Sequence, residues 1–278
     1  MKIPKSLELL VQSGLVDEAI CQLMSGKEAE VYVVLSKGEL RCAKVYKEAG
    51  RRSFSQQAQY QEGRKVRNSR RSRAMEKHSS YGRKEAESAW QNAEVDALQR
   101  LAAAGVRVPK LHCYLGGVLL MELVSDEDGN AAPRLNDMEL TPGLAREYHR
   151  RLIDQIVLML CAGLVHGDLS EYNVLVGSDG PVIIDLPQAV DASGNNNAPR
   201  MLERDVDNMT AYFGRFAPEL LTTQFGKEIW KLYASGKLKP GAELTGHFEQ
   251  SGKKADVGGV MREIDAARRY HEMSEQRR

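Results

Sequence analysis

The sequence predicts an α+β chain of two lobes, strand-rich in front and helical behind. Three observations predict it. Short apolar runs bounded by turn residues fill the stretch from Ala29 to Leu123; one helical face interrupts them; and beyond a polar, turn-rich segment from Ser125 to Pro133 the spacing is mostly helical.

The elements follow in order. Leu7, Leu10, Val11, Leu15, Ala19 and Ile20 predict a helical segment over residues 5–22 with a break at Gly14. Ala29 to Leu35 and Leu40 to Tyr46 predict two strands joined by the hairpin turn Ser36-Lys37-Gly38-Glu39. Trp90, Ala93, Ala97, Leu98 and Leu101 form one face of a helix that stops near Gly105. Lys110 to Leu115 and Val118 to Leu123 are two further strands across Gly116-Gly117. Leu144 to Gly163 is a long helix, and Val174 to Val176 and Val182 to Ile184 are short strands around a Gly177 to Gly180 turn. A helical apolar stripe (Val257, Val260, Met261, Ile264, Ala267) closes the chain. These boundaries divide it into residues 1–124, a linker at 125–134, and residues 135–278.

Composition narrows the class. With 278 residues, 42% hydrophobic and 28% charged, the chain can bury a substantial core. Met1-Lys2-Ile3-Pro4-Lys5 leads into an amphipathic segment without an apolar run, so no secretory signal is expected. The longest apolar stretch, Val157 to Val165, is far short of a membrane span. Cys21, Cys42, Cys113 and Cys161 lack metal or disulfide spacing, and reduced thiols in a cytoplasmic protein are expected. The net charge of +1 hides an asymmetry: residues 47–84 hold twelve Lys or Arg against three Glu. So basic and apolar-poor a stretch cannot bury much, and it is expected to form a mobile insert in an otherwise acidic body.

The densest chemical signal is His166-Gly167-Asp168-Leu169-Ser170-Glu171-Tyr172-Asn173, followed by Ile183-Ile184-Asp185. Phosphoryl transfer asks a protein for positioning and charge neutralisation rather than covalent help. Asp168 and Asn173, five positions apart, suit two jobs: one orients an incoming hydroxyl, the other gives an oxygen to Mg²⁺. Asp185 completes a set of hard oxygen ligands that Mg²⁺ shares with substrate phosphates. The order H-x-D-x-x-x-x-N with a downstream Asp resembles the protein-kinase-like superfamily. In that frame Lys44, within Cys42-Ala43-Lys44-Val45, is the strand lysine for the α and β phosphates. Glu94, four residues before Leu98, is its expected helix partner, ahead of Glu87. Met121-Glu122-Leu123-Val124 is placed where backbone atoms would meet adenine.

No GxGxxG and no GxxxxGK[ST] covers the phosphates. In its place stands Ser25-Gly26-Lys27-Glu28-Ala29-Glu30-Val31-Tyr32. With the HGDLSEYN loop, Ile184-Asp185-Leu186-Pro187-Gln188-Ala189-Val190 and the Ala198 to Asn208 segment, it resembles the RIO family of atypical protein kinases, most like the first RIO subfamily. The resemblance runs from about Gly14 to Phe216. It implies a two-lobed protein-kinase-like fold with a reduced activation loop, and a serine/threonine kinase that uses ATP and Mg²⁺, with Mn²⁺ as an alternative, on a protein substrate. It also implies roles: Asp168 catalytic, Asn173 and Asp185 metal ligands, Lys44 on phosphates, and Ser25, Gly26, Lys27 and Val31 lining the nucleotide cleft. ATPase action in small-ribosomal-subunit maturation is a further implication.

Several features carry plainer readings. Ala217-Pro218-Glu219 spells the end of an activation loop but follows the Asp205 to Asn208 segment that should come after one, so it is read as coincidence. Gly167 stands where activatable kinases have Arg, so no phosphorylation switch is expected. His166 is read as a packed structural histidine. The insert at 47–84 suits RNA phosphates or a ribosomal subunit, though few aromatics interrupt it. Two rivals remain: a small-molecule phosphotransferase of the aminoglycoside or choline kinase type, and a ribosome-assembly binding factor that uses ATP hydrolysis for release.

Overall fold

Alternation along three central strands builds the front half. In the computed structural model, which describes residues 4–26, 28–47 and 80–248 (80–91 by backbone alone), β1 (Glu18–Ser25), β2 (Ala29–Ser36), β3 (Glu39–Tyr46), β4 (Leu111–Leu115) and β5 (Val118–Glu122) form one antiparallel sheet in the order β1-β2-β3-β5-β4. Successive side chains point to opposite faces. Ala43, Val45, Val118 and Leu120 therefore meet Leu7 and Leu10 on one side, while Tyr46 and Leu119 join the larger core on the other. The turn between β2 and β3 has Lys37 at φ 54° and Gly38 at φ 80°, and Ser36 pairs with Glu39. Two positive φ angles in a two-residue loop match the right-handed strand twist.

The helix expected over residues 5–22 stops halfway. A 3₁₀ turn (Lys5–Leu7) and α1 (Glu8–Gln12) end at Gly14, where φ is 66° and the Leu15 and Val16 amides both bond back to the Leu10 carbonyl. Beyond it, residues 18–25 extend as β1, with Ala19 buried and the rest exposed. Ala19 and Ile20 satisfied a helical spacing, but backbone pairing with β2 decides the conformation, through a register that slips twice. The helix read from Trp90 onward is longer than expected: α2 spans Ser80–Ala103 and packs Ala97, Leu98 and Leu101 into the core.

The helical half follows. Thr141 caps α3 (Pro142–Cys161) by accepting the Leu144 amide, with Pro142 at the first position where no donor is needed. A short antiparallel pair joins β6 (Leu164–Val165) to the distant β9 (Val190–Asp191), and between them β7 (Val174–Gly177) and β8 (Gly180–Ile183) form a hairpin. Helix α4 (Ala198–Gly214) lies against α3 and against α5 (Phe225–Ala234). The described residues up to His247 form one compact unit. Strand-rich front and helical back agree with the predicted class. The stripe at Val257 to Ala267 lies outside the described residues, as do residues 48–79 of the basic insert. Among the described residues no helix is long and apolar enough to cross a membrane.

One core contact carries a pH prediction. His149 on α3 is 2% exposed, lies 3.0 Å from Thr210 Oγ1, and packs against the rings of Phe213 and Phe225. Burial pushes its pKa down from 6.5 to about 4. The unfolded chain therefore binds a proton that the folded chain refuses, and stability falls as pH drops from about 6.5 toward 4. The loss attributable to His149 is roughly 2–3 kcal/mol over that window. His149→Gln should flatten the corresponding part of the curve of urea midpoint against pH. Parallel curves for both proteins would show that His149 is not the source.

Candidate active site

Strand period delivers the first group. Lys44 on β3 sits opposite Val31 on β2 and Leu119 on β5, so the three share one face of the sheet. There the Lys44 ammonium donates to both Glu94 oxygens, at 2.8 and 3.1 Å, and to Asp185 Oδ1 at 2.8 Å. Glu94 projects from α2 and is 2% exposed. The Glu87 side chain is outside the described residues. Burial works against a charged Lys44, but Asp185 and Glu94 outweigh it and hold the ammonium well above its ordinary pKa. Burial likewise works against ionised Asp185, and Lys44 overcomes it, so this carboxyl stays below the usual range. The Asp185 side chain is nonetheless 44% exposed, because it faces an open cleft. Its φ is 65°, a left-handed conformation that Asp adopts more readily than most residues.

The second group sits on the loop between β6 and β7. Asp168 is exposed on the cleft side, while its neighbours Gly167 and Leu169 are buried. Partial desolvation, reinforced by Asp185, raises the Asp168 carboxyl above its usual range against the pull of His166 and Arg204. The Asn173 side-chain amide donates to the Asp168 carbonyl at 2.8 Å, which fixes the loop and leaves its own oxygen free of that bond. The Ile184 amide donates to the Asn173 carbonyl at 3.0 Å, so Asn173 and Asp185 are tied through adjoining backbone. His166 is 2% exposed, with Nε2 3.0 Å from the Ile184 carbonyl and Nδ1 accepting the Asp168 amide. Its contacts are those of a packed loop residue.

What holds this loop was not assigned from the sequence. Asp205, 1% exposed on α4, accepts the Gly167 amide at 2.7 Å and the Leu169 amide at 3.1 Å. Burial pushes its carboxyl up to about 6 against the opposing pull of His166, those two amides and Arg204. Arg204 donates to the Gly167 carbonyl and Asn208 to the Leu169 carbonyl. Three residues within one turn of α4 thus grip the backbone on both sides of Asp168. Gly167 has φ 83°, which a side-chain-bearing residue adopts only with strain. The segment Arg204-Asp205-Val206-Asp207-Asn208 was visible as a motif, but nothing local says that it reaches back almost forty residues.

The remaining predicted residues fall on the same cleft or beside it. Lys47 donates to the Gly26 carbonyl at 2.7 Å and to Ser25 Oγ at 3.3 Å, pinning the turn between β1 and β2. Lys27 lies outside the described residues. Met121 pairs with Cys42 and follows the face of Lys44. Glu122 faces the other way, where Arg107 takes both carboxylate oxygens, at 2.7 and 3.0 Å, and the Lys110 amide adds a third bond. Its side chain is therefore committed to structure, and its backbone amide donates to the Lys110 carbonyl at 2.8 Å. Val124 is buried, and its carbonyl accepts the Ala132 amide. Glu219, from the Ala217-Pro218-Glu219 tripeptide, lies in a 3₁₀ turn and pairs at the surface with Arg146.

The donor set fits a hard divalent cation that shares its shell with phosphate. Among the described residues no group of three or more His, Cys, Asp or Glu side chains is placed to hold a metal ion alone. The exposed Asp185 carboxylate and the Asn173 side-chain oxygen, whose amide nitrogen is taken by the Asp168 carbonyl, are the kinds of hard donor that suit a cation completed by nucleotide oxygens and water.

Comparison with known proteins places the chain in a family. Residues 30–225 match the RIO domain family. The chain is 34% identical over 211 residues to the RIO-type serine/threonine-protein kinase Rio1 of Haloferax volcanii, covering 74% of this chain and 67% of that protein. It is 28% identical over 217 residues to the serine/threonine-protein kinase RIO1 of Homo sapiens, covering 77% of this chain but 36% of that one. It is 29% identical to rio1 of Schizosaccharomyces pombe, covering 40% of it. The chain thus spans about two thirds of the archaeal relative and about two fifths of the eukaryotic ones. The crystal structure of the Rio2 kinase from Chaetomium thermophilum superposes with a TM-score of 0.56 at 19% identity, over 99% of this chain and 83% of that one, which shows the shared fold. This chain belongs to the RIO family of atypical serine/threonine protein kinases, enzymes for which ATP, a divalent cation and a protein acceptor are implied.

Proposed function

We propose that this chain transfers the γ-phosphoryl group of Mg²⁺-bound ATP to a serine or threonine hydroxyl of a protein. The observation that carries the reading is the convergence of Lys44, Glu94 and Asp185 within hydrogen-bond distance, beside Asp168, whose carboxyl feels the Asp185 charge, and Asn173, which is tied to Asp168 and Ile184. Residues 1–124 would then serve as the nucleotide lobe, 125–134 as the hinge and 135–278 as the catalytic lobe and tail. Lys44, steadied by Glu94, would neutralise the α and β phosphates. Ser25, Gly26 and Lys27 would cover them, Val31 would line the adenine side, and the backbone of Met121, Glu122 and Val124 would meet the base. Asn173 and Asp185 would hold Mg²⁺, or Mn²⁺ in its place. When bound, the cation neutralises charge that develops on the transferred group. Asp168 would orient the acceptor hydroxyl and receive its proton. Membership of the RIO family speaks against the aminoglycoside or choline kinase type of reaction.

The test is to incubate the purified protein with labelled ATP, a divalent cation and cell extract, then identify what carries the label. Label on protein serine or threonine supports transfer to protein. Label confined to small molecules, or released only as phosphate, contradicts it; phosphate release stimulated by ribosomal subunits would favour the binding factor that times its release by hydrolysis.

A nucleic-acid partner is the second part of the proposal, and it rests on charge. The basic residues of 47–84 beyond Lys47 would neutralise RNA phosphates, on a ribosomal subunit or free, in a cytoplasmic protein. Replacing Arg64, Lys65, Arg67, Arg70, Arg71 and Arg73 with Gln should weaken RNA binding and flatten its dependence on salt, while basal ATP turnover stays unchanged. Unaltered affinity and slope would remove RNA from the account.

A further inference from the structure

The Lys44–Glu94 pair has a third member. Tyr46 follows Lys44 by two residues on β3, so the strand period places both side chains on one face. The Tyr46 hydroxyl donates to Glu94 Oε2, one of the two oxygens that Lys44 also bonds. The Lys44 ammonium lies 5.4 Å from the Tyr46 ring centroid, within reach of the attraction between a cation and an aromatic face. The Tyr46 ring is itself held edge-on by Tyr114, with centroids 6.5 Å apart. Tyr46 is 8% exposed and Glu94 2%. Burial drives the phenol far above its ordinary pKa, which Lys44 opposes and Glu94 reinforces, so the hydroxyl remains a donor at any working pH.

This arrangement has a consequence for control. In protein kinases the pairing of the strand lysine with the helix glutamate must be in place for transfer, and a phosphorylated activation loop and helix movement commonly set it. Gly167 removes the arginine that such a loop would engage. Glu94 instead accepts from two donors on a single strand, Lys44 and Tyr46, and these bonds turn its carboxylate toward the sheet. Because the donors are two residues apart on a paired central strand, their spacing cannot change without disturbing the sheet.

We infer that Tyr46 is a positioning residue that locks Glu94 onto Lys44 and keeps the phosphate-binding lysine assembled without an activating modification. The inference rests on the kinase reading above. It is tested with wild type, Tyr46→Phe, Glu94→Gln and the double variant, by measuring kcat, KM for ATP and thermal unfolding under one divalent-cation concentration. Phe keeps the ring, its packing on Tyr114 and the cation contact, and removes only the hydroxyl. Losing one hydrogen bond to a buried charged group should lower kcat/KM about ten- to a hundredfold, mostly through kcat. The double variant should be no slower than Glu94→Gln alone, because both changes act through one carboxylate. Effects that multiply in the double variant would assign Tyr46 a separate packing role and overturn the inference, as would wild-type turnover in Tyr46→Phe. If Glu94→Gln is itself fully active, the ion-pair reading falls and takes this one with it. If Glu94→Gln is impaired while Tyr46→Phe is normal, the Tyr46 inference alone fails.

Discussion

Asp168→Asn should bind ATP as wild type does and transfer phosphoryl about 10²- to 10⁴-fold more slowly, the range that removal of a positioned proton acceptor produces. The substitution preserves shape, and the loop around it is held by Asp205, Arg204 and Asn208 through the backbone of Gly167 and Leu169 rather than through the Asp168 side chain. The lost function is therefore confined to accepting a proton and orienting a hydroxyl. Asp185→Asn should differ in kind. Asp185 neutralises Lys44 at 2.8 Å, and its carboxylate faces the cleft as a hard oxygen donor, so its loss should also weaken cation-dependent nucleotide binding. Single-turnover rates, measured beside equilibrium binding of a fluorescent ATP analogue with and without Mg²⁺, separate the two. Near-normal turnover in both variants would sink the assignment of this cleft.

Lys44→Met should abolish measurable turnover, a loss of at least about 10²- to 10³-fold from removing a preorganised charge in a buried site. It should also weaken the fold. Glu94 would keep the Tyr46 hydroxyl but lose its cation, and breaking a buried pair from one side costs about 3–5 kcal/mol where nothing replaces the partner. Glu94→Gln should impair turnover while remaining folded, since the isosteric amide keeps the packing of the side chain but loses the charge that both donors engage. Far-UV circular dichroism and thermal melts distinguish lost chemistry from lost structure. A damaging Glu87→Gln beside a silent Glu94→Gln would move the partner to another turn of α2.

The two expected losses have different origins in the chain. Asp168, Asn173 and Asp185 lie within eighteen residues, on one loop and the hairpin that follows it. Their relation is set by local turns, by the short pairing of β7 with β8 and by the Asn173 bond to the Asp168 carbonyl. Such features are written in adjacent residues, so spacing alone identified them as a group. The same holds for the two-residue hairpin at Lys37-Gly38 and for the long α3 behind its Thr141 cap, whose signals are confined to a few positions.

Where the chain departs from its local pattern, a distant partner decided. Residues 18–22 were read as the end of a helix yet became part of an edge strand, because pairing with β2 offers backbone bonds that a helix following Gly14 would not share. Glu122 sat in the expected adenine-facing segment, but Arg107 and the Lys110 amide draw its carboxylate to the opposite face and hold it below the usual range, against its burial.

The sequence by itself determined the α+β class, the strand that carries Lys44, and the ordered set Asp168, Asn173 and Asp185. Each depends on periodicity or spacing over at most a few turns of chain. The tertiary structure brought Glu94, ranked ahead of Glu87 in the sequence, to Lys44 from fifty residues away, and it alone decided that Tyr46 shares that carboxylate and that Asp205 grips the loop around Asp168 from thirty-seven residues beyond it. The physical reason is common to all three. A buried charge or backbone amide must find a partner, and which partner it finds depends on how sheet and helices pack.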